Sequence, residues 1–568
     1  MRFLKLAGLA GALAVTATGA SLAARAPARP VATIWHGGTI ITMDGDTPQT
    51  VEAVVERGGK IEYVGSERQA RKLAGRGAAD HDLHGATMLP GFIDAHSHFA
   101  VALQSASGLD LSDSEQAQFK DVPSLIGAIK AFVARRAIPA GGWVIVWQYD
   151  QDNLAEHRHV TRKELDAAFP DRKVVLLHVS LHGMVVNSAA LAAFGIDEAT
   201  PVPPGGIMPK DGEGKLSGLL FEQAMYLAMP KLPQPTEQEK LAAIDAAQQR
   251  YMRTGYTHAQ DGATQPADLA FLTSPAARER LKIDLALLPF YSNLPALLKQ
   301  KDPGFGRYQG HVKLQGVKFV LDGSPQARTA YFTRDYANGS PDGHHPWHGQ
   351  PVMDEAKFQA MAKQVNDRGW QLFVHANGDA AIDMAIRGFD ALGIKAADNR
   401  RPIVIHSQFM RPDQLAAYAR IGVGPAFFSN HTYYWADVHR SNFPADFVAF
   451  ISPFKAARAA GLIPSNHSDF PVTALDTMTM LWTSMARTSM TGVVSGADQQ
   501  LSAYEGLQAL TTGPAWQIFE ENRKGRLHAG LLADFVVLDR NPLTTPLDQI
   551  RGIKVIETVK EGQTVWHR

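Results

Sequence analysis

Two histidines, His96 and His98, close the apolar run Thr87-Met-Leu-Pro-Gly-Phe-Ile-Asp-Ala-His-Ser-His98. On a β-strand alternate side chains share a face, so His96 and His98 point together, with Phe92 and Asp94 beside them. Two imidazoles so placed at a strand end can hold one metal ion in adjacent positions. An isolated pair at this spacing is more often just two histidines on a half-buried strand, because short motifs match by accident. The rest of the chain changes the balance. Lys318, His375, His406 and Asp469 fall in further apolar runs, all but Lys318 at or near the C-terminal end of the run. Each alone has an ordinary explanation: a satisfied buried histidine, a turn-capping Asp469, a Lys318 ion-paired with Asp322. Together they read as one metal site of nitrogen and oxygen donors.

The elements that must position these groups alternate in type. After the strand ending at His98, β-like runs recur at 257–261, 283–291, 317–322, 370–376, 402–408, 422–428 and 462–469, which makes eight. Helical patterns lie between them. Asp354 is a fitting N-cap for a helix over 355–368, with Phe358, Met361, Ala362 and Val365 on one stripe and Gly369 at its end. Eight strands alternating with helices predict an α/β fold, a (β/α)₈ TIM barrel, whose sites form at the C-terminal strand ends. Residues 31–88 and 520–568 are short strands joined by glycine turns. They predict a composite β-sandwich built from both ends of the chain. Residues 89–100 and 237–519 form the barrel. The intervening 101–236 are too long for a loop and predict an inserted subdomain overhanging the barrel mouth.

Composition excludes other classes. Lys+Arg and Asp+Glu balance at 56 each in 568 residues, so nothing recruits nucleic acid or an anionic membrane. The first 24 residues have a short basic start (Arg2, Lys5), an apolar stretch and small residues up to Ala24. They read as a secretory signal peptide, too short in its apolar part to remain as an anchor. There is no cysteine. Export without cysteine predicts a bacterial periplasm, and leaves only nitrogen and oxygen to bind a metal.

Longer motifs carry a family resemblance. They are Leu89-Pro-Gly-Phe-Ile-Asp-Ala-His-Ser-His98, His182-Gly-Met-Val-Val-Asn-Ser-Ala-Ala-Leu191, Gly316-Val-Lys-Phe-Val-Leu-Asp-Gly-Ser-Pro-Gln-Ala-Arg-Thr-Ala330, His375-Ala-Asn-Gly-Asp-Ala-Ala381, Ile405-His-Ser-Gln408, Ser468-Asp-Phe-Pro-Val472 and Gly530-Leu-Leu-Ala-Asp-Phe-Val-Val537. In these the chain resembles the amidohydrolase superfamily, in its YtcJ-like (amidohydrolase 3) branch. The resemblance implies a barrel with a β-sandwich from both termini and metal-dependent hydrolysis, with the ligands on His96, His98, Lys318, His375, His406 and Asp469. Where the family usually has Glu before the sixth-strand histidine, this chain has Ile405.

On that footing His96, His98 and Asp469 are expected to bind one divalent ion and His375 and His406 a second. Two Zn²⁺ ions bridged by a carboxylated Lys318 suit this donor set, with other first-row metals as alternatives. The expected reaction is hydrolysis of an amide-type C–N bond, with Asp469 moving the proton from water to the leaving nitrogen. His182 and the loop from Asp322 to Arg328 are the expected oxyanion and substrate contacts. Trp147, Phe332 and Trp347 belong to a set of aromatics expected around a pocket for a bulky or aromatic N-acyl small molecule. The same water could attack a lactone, ester, cyclic amide or phosphotriester. A periplasmic metal or ligand carrier without catalysis is the rival from another class, disfavoured by the intact Asp469. A deaminase is disfavoured because Ala376-Asn-Gly378 follows His375. A homodimer is the expected assembly.

Overall fold

The structure, a computed structural model, describes residues 30–568 apart from 106–107, 112–118, 181, 234 and 342. The expected signal peptide lies outside the described residues. Among them no helix is long and apolar enough to cross a membrane.

The runs expected as barrel strands all carry strands, arranged in two five-stranded sheets. One orders Tyr308–Gln309, Val312–Leu314, Asp284–Pro289, Tyr256–Thr264 and Phe92–Ile93. The other orders Gly316–Val320, Gln371–Ala376, Ile403–His406, Gly424–Phe427 and Ser465–Asn466, all parallel. Apart from the antiparallel edge strand Tyr308–Gln309, the first sheet is parallel as well. A single parallel bridge, Phe290 to Lys318, joins them along one edge. Along the other edge no ladder pairs Ser465–Asn466 with Phe92–Ile93. The segment near 509–510 intervenes: Asn466 N–H donates to the Ala509 carbonyl at 2.8 Å and Ile93 N–H to the Leu510 carbonyl at 3.0 Å. The expected closed ring of eight is therefore two sheets, because a neighbouring backbone takes hydrogen bonds that a closing ladder would use.

The cause of these strands is plain in their burial. Gly424–Phe427 and Ile403–His406 are buried along their whole length, as strands covered on both faces must be. Helices pack outside. Glu355–Asp367 follows the expected stripe, burying Phe358, Ala362 and Val365, and the Asp354 carboxylate caps it by accepting from Lys357 N–H at 3.0 Å.

Strands from both ends of the chain share one eight-stranded sheet, in which Thr87–Pro90 pairs antiparallel with Phe535–Leu538. A separate six-stranded sheet spans Leu109–Asp110 to Leu219–Glu222. Its two apolar faces are covered, one by a cluster around Leu125, Ile129 and Phe132, the other by one around Leu191, Phe194 and Met225.

Candidate metal centre

The two open sheets leave their strand ends facing one place. His96 leaves the strand Phe92–Ile93 fully buried. Its Nδ1 lies 3.0 Å from the Gln260 side-chain oxygen on Tyr256–Thr264. That oxygen can only accept, so Nδ1 carries the proton and Nε2 turns its lone pair inward. Asp469 backbone N–H donates to the His96 carbonyl at 3.0 Å, and His98 N–H to the Phe470 carbonyl at 2.7 Å. These bonds lock the first and last strand ends together. As a result Asp469 Oδ1 stands 3.4 Å from Nε2 of both His96 and His98. One donor atom from each of the three lies within 4.8 Å of the others.

Lys318 enters from Gly316–Val320 and is buried. Its Nζ is 3.3 Å from His96 Nε2. It makes no pair with Asp322, whose carboxylate accepts from the backbone N–H groups of Tyr331, Asn377 and Gly378 at 3.1, 3.0 and 2.8 Å. Burial pulls the Lys318 amine down to about 7, against the opposing pull of Asp469 and Asp261. His375 Nε2 is 3.2 Å from the Gly323 carbonyl, and its Nδ1 is 3.1 Å from His406 Nε2. His406 turns its Nδ1 towards Asp469 Oδ2 at 4.0 Å, with the backbone in the left-handed region at φ 72°. Asp469 is left-handed too, at φ 51°. Such conformations in non-glycine residues persist where the surroundings dictate them.

The electrostatics suit a cation. Burial drives His96, His375 and His406 well below the usual imidazole range, His375 to about 3. The rings are therefore neutral, the form that binds a metal. Burial alone would raise the Asp469 carboxyl, but the surrounding histidine cluster, with a hydrogen bond from His98, holds it well below the usual carboxylate range. Asp469 Oδ1 and His406 Nδ1 are buried with no hydrogen-bond partner. Orphaned buried acceptors beside neutral imidazoles are what a bound cation would satisfy. The residues present thus fit a divalent metal.

The other expected site residues are placed as follows. His182 pairs through Nδ1 with Glu222 at 3.1 Å and feels the charges of Asp322 and Asp469. Arg328 donates from Nη1 to the Asn338 carbonyl at 2.7 Å. Trp147 is buried in the apolar cluster on one face of the six-stranded sheet, which also contains Leu177 and Leu191. Phe332 is likewise in a core cluster, whereas Trp347 lines a cavity of about 800 Å³ with Glu222, Tyr291 and Gly323.

Sequence reasoning missed Gln260 and gave no role to two other side chains. Asp94 was placed on the His96 face, and its carboxylate takes the Ser468 N–H and hydroxyl at 3.0 and 2.5 Å, tying the two ends of the site. His467 is fully buried, its ring centroid 5.3 Å from His96 and 5.0 Å from His406. Its spacing to Asp469 repeats that of His96 to His98, which was the available signal.

Comparison with known proteins agrees with this geometry. The chain is 28% identical over 549 residues to a putative amidohydrolase, YtcJ, of Bacillus subtilis, covering 94% of this chain and 99% of that protein. It is 27% identical over 537 residues to the N-substituted formamide deformylase of Arthrobacter pascens, covering 91% and 95%. The fold is similar to that of an uncharacterized metal-dependent hydrolase from Pyrococcus horikoshii OT3, with a TM-score of 0.73 at 24% identity over 91% of this chain and 99% of that one. The sequence profile of the amidohydrolase family matches residues 81–566. The chain belongs to the amidohydrolase family.

Proposed function

We propose that the bond cleaved is the amide-type C–N bond of a small N-substituted compound with a bulky or aromatic group. The two five-stranded sheets are, in this reading, the halves of one (β/α)₈ barrel. The observation that carries the proposal is the meeting of His96, His98 and Asp469 at strand ends, with an orphaned Asp469 oxygen between the two imidazoles. The relative from Arthrobacter pascens, named for an N-substituted formamide, supports the substrate class. The cavity of about 800 Å³ beside the site, with Trp347 and Tyr291 in its wall, supports a bulky group.

His96, His98 and Asp469 would hold one divalent cation and His375 and His406 a second, with a carboxylated Lys318 between them. Zinc suits such donors. A bound cation there supplies Lewis acidity and lowers the pKa of water towards ~7. The chain's own groups do the rest. Asp469 Oδ1 accepts a proton from the attacking water and returns it to the leaving nitrogen. His182 donates to the carbonyl oxygen as negative charge develops on it. The Lys318 amine, lowered to about 7 by burial, is partly neutral near neutral pH and so able to attack CO₂. The basic, then apolar N-terminus and the absence of cysteine support export to a bacterial periplasm.

The test is elemental analysis of the purified protein together with hydrolysis of N-substituted formamides, anilides, lactones and esters. Metal-dependent amide cleavage is expected, with Asp469→Asn keeping most of the metal and losing about 10²–10⁴-fold in kcat. A protein that takes up no metal on reconstitution, or an Asp469→Asn variant at the wild-type rate, would overturn the reading. Preference for esters or lactones would move the substrate class.

A further inference from the structure

The six-stranded sheet contributes one ionisable pair next to the metal centre. His182 and Glu222 are cross-strand neighbours, one step beyond the ladder pair Gly183 and Phe221. Glu222 N–H donates to the His182 carbonyl at 2.8 Å, and His182 Nδ1 lies 3.1 Å from Glu222 Oε2. The approach is close enough that a Cβ on Gly183 would lie 2.4 Å from the Phe221 ring. Glu222 itself is left-handed, at φ 51°, a conformation that costs energy in a residue with a Cβ and persists where the surroundings dictate it. Glu222 lines the cavity of about 800 Å³ together with Gly323. The carbonyl of that same Gly323 is 3.2 Å from His375 Nε2. The pair therefore stands where the cavity meets the metal centre.

We propose that Glu222 is a positioning residue: it holds His182 with Nδ1–H towards its carboxylate, leaving Nε2 free for the substrate carbonyl oxygen. This rests on the hydrolase reading above. A carboxylate accepts only, so Glu222 selects one ring orientation and one tautomer. Its charge also favours imidazolium. Burial would lower His182, but Glu222 outweighs it, with Asp322 and Asp469 adding to the effect. The other ionisable groups facing His182 are His178 and His375, both neutral through burial.

The test uses the metal-loaded full chain. Glu222→Ala should lower kcat about 10–100-fold with KM nearly unchanged, the usual cost of losing the partner that orients an active imidazole. Glu222→Gln keeps an acceptor for Nδ1–H and should recover most of that loss. It should also move the alkaline limb of the pH–rate profile to lower pH, because the charge favouring imidazolium is gone. In a His182→Ala background, Glu222→Ala should cost nothing more. A second measurement needs no turnover. With ¹⁵N-labelled histidine, a protected Nδ1–H resonance that vanishes in His182→Gln should persist in Glu222→Gln and vanish in Glu222→Ala. Wild-type turnover in Glu222→Ala, additive losses in the double variant, or a resonance indifferent to Glu222 would each overturn the proposal. A wild-type protein that hydrolyses nothing would instead sink the hydrolase reading, while the resonance still decides whether Glu222 holds the ring.

Discussion

At the scale of single residues, two of the donors in the metal centre are aimed by partners outside it. Gln260 aims His96, the Gly323 carbonyl aims His375, and Ser468 ties Asp94 to the end that carries Asp469. Such partners fix the tautomer, and their loss weakens metal binding without removing a ligand. Gln260→Leu is the sharpest case, since it strands a buried N–H and frees the His96 ring. It is expected to lower metal affinity about 10–100-fold while leaving the circular dichroism spectrum unchanged. Competition against a chelator measures this, and an unchanged affinity would show that His96 is oriented by something other than Gln260. The direction of the Gln260 amide was not legible in the sequence, because a side chain's partner depends on which strands become neighbours.

At the scale of elements, the six-stranded sheet carries the buried His178, with the half-buried His159 ring 5.9 Å from it, and both are held neutral. His178 sits between the Ser180 hydroxyl and the Gln151 side chain, at 2.8 Å from each. Burial brings it down to about 3, and His159 to about 4. In the unfolded chain both return to about 6.5. The unfolded state thus takes up protons first as pH falls. Stability contributed by the neutral rings is complete above about pH 6.5 and drains away between there and about pH 4 for His159 and about pH 3 for His178, at up to about 1.4 kcal/mol per pH unit for each ring. Urea unfolding of the protein is therefore expected at a lower midpoint at pH 5 than at pH 7.5, and His178→Gln should flatten that dependence. Equal midpoints at the two pH values would mean that these rings are already neutral, or already charged, in both states. The helix Glu355–Asp367 and its cap were readable beforehand because their determinants, Asp354 and a 3.6-residue stripe, are local. The edge left open between Ser465–Asn466 and Phe92–Ile93 was not, because the carbonyls of Ala509 and Leu510 reach it from a distant part of the chain.

At the scale of the whole molecule, the C-terminal residues are anchored by charge at the opposite end of the strands from the metal centre. Asp284, at the start of Asp284–Pro289, is fully buried between Lys524 and Lys560, the latter at 3.2 Å. His311 lies against its other oxygen at 2.8 Å. Burial would raise the Asp284 carboxyl, yet the two ammonium groups outweigh it and hold it well below the usual range. With Glu561 this cluster has the residue types of a second cation site, but the lysines already supply the positive charge. Asp284→Ala leaves those ammonium groups buried with less compensation, and Lys560 keeps only Asp534 and Glu561. A loss of about 3–5 kcal/mol in stability is expected, read from denaturant unfolding with metal content unchanged. A loss below about 1 kcal/mol would mean that water or local movement resolvates the lysines.

The candidate donors and the alternation of strand and helix were legible in the sequence, since residue type, apolar runs and capping act over a few neighbours. His96, His98, His375, His406 and Asp469 were all visible at the ends of their runs. Tertiary structure alone decided which atoms meet: that Lys318 turns to His96 rather than to Asp322, that Asp322 serves three backbone N–H groups, and that Glu222 stands beside His182. The cause is that the pairings of His96 with Lys318, His182 with Glu222 and Asp322 with Asn377 join residues 40 or more positions apart in sequence, where strand register and burial choose the partner and no local pattern records the choice.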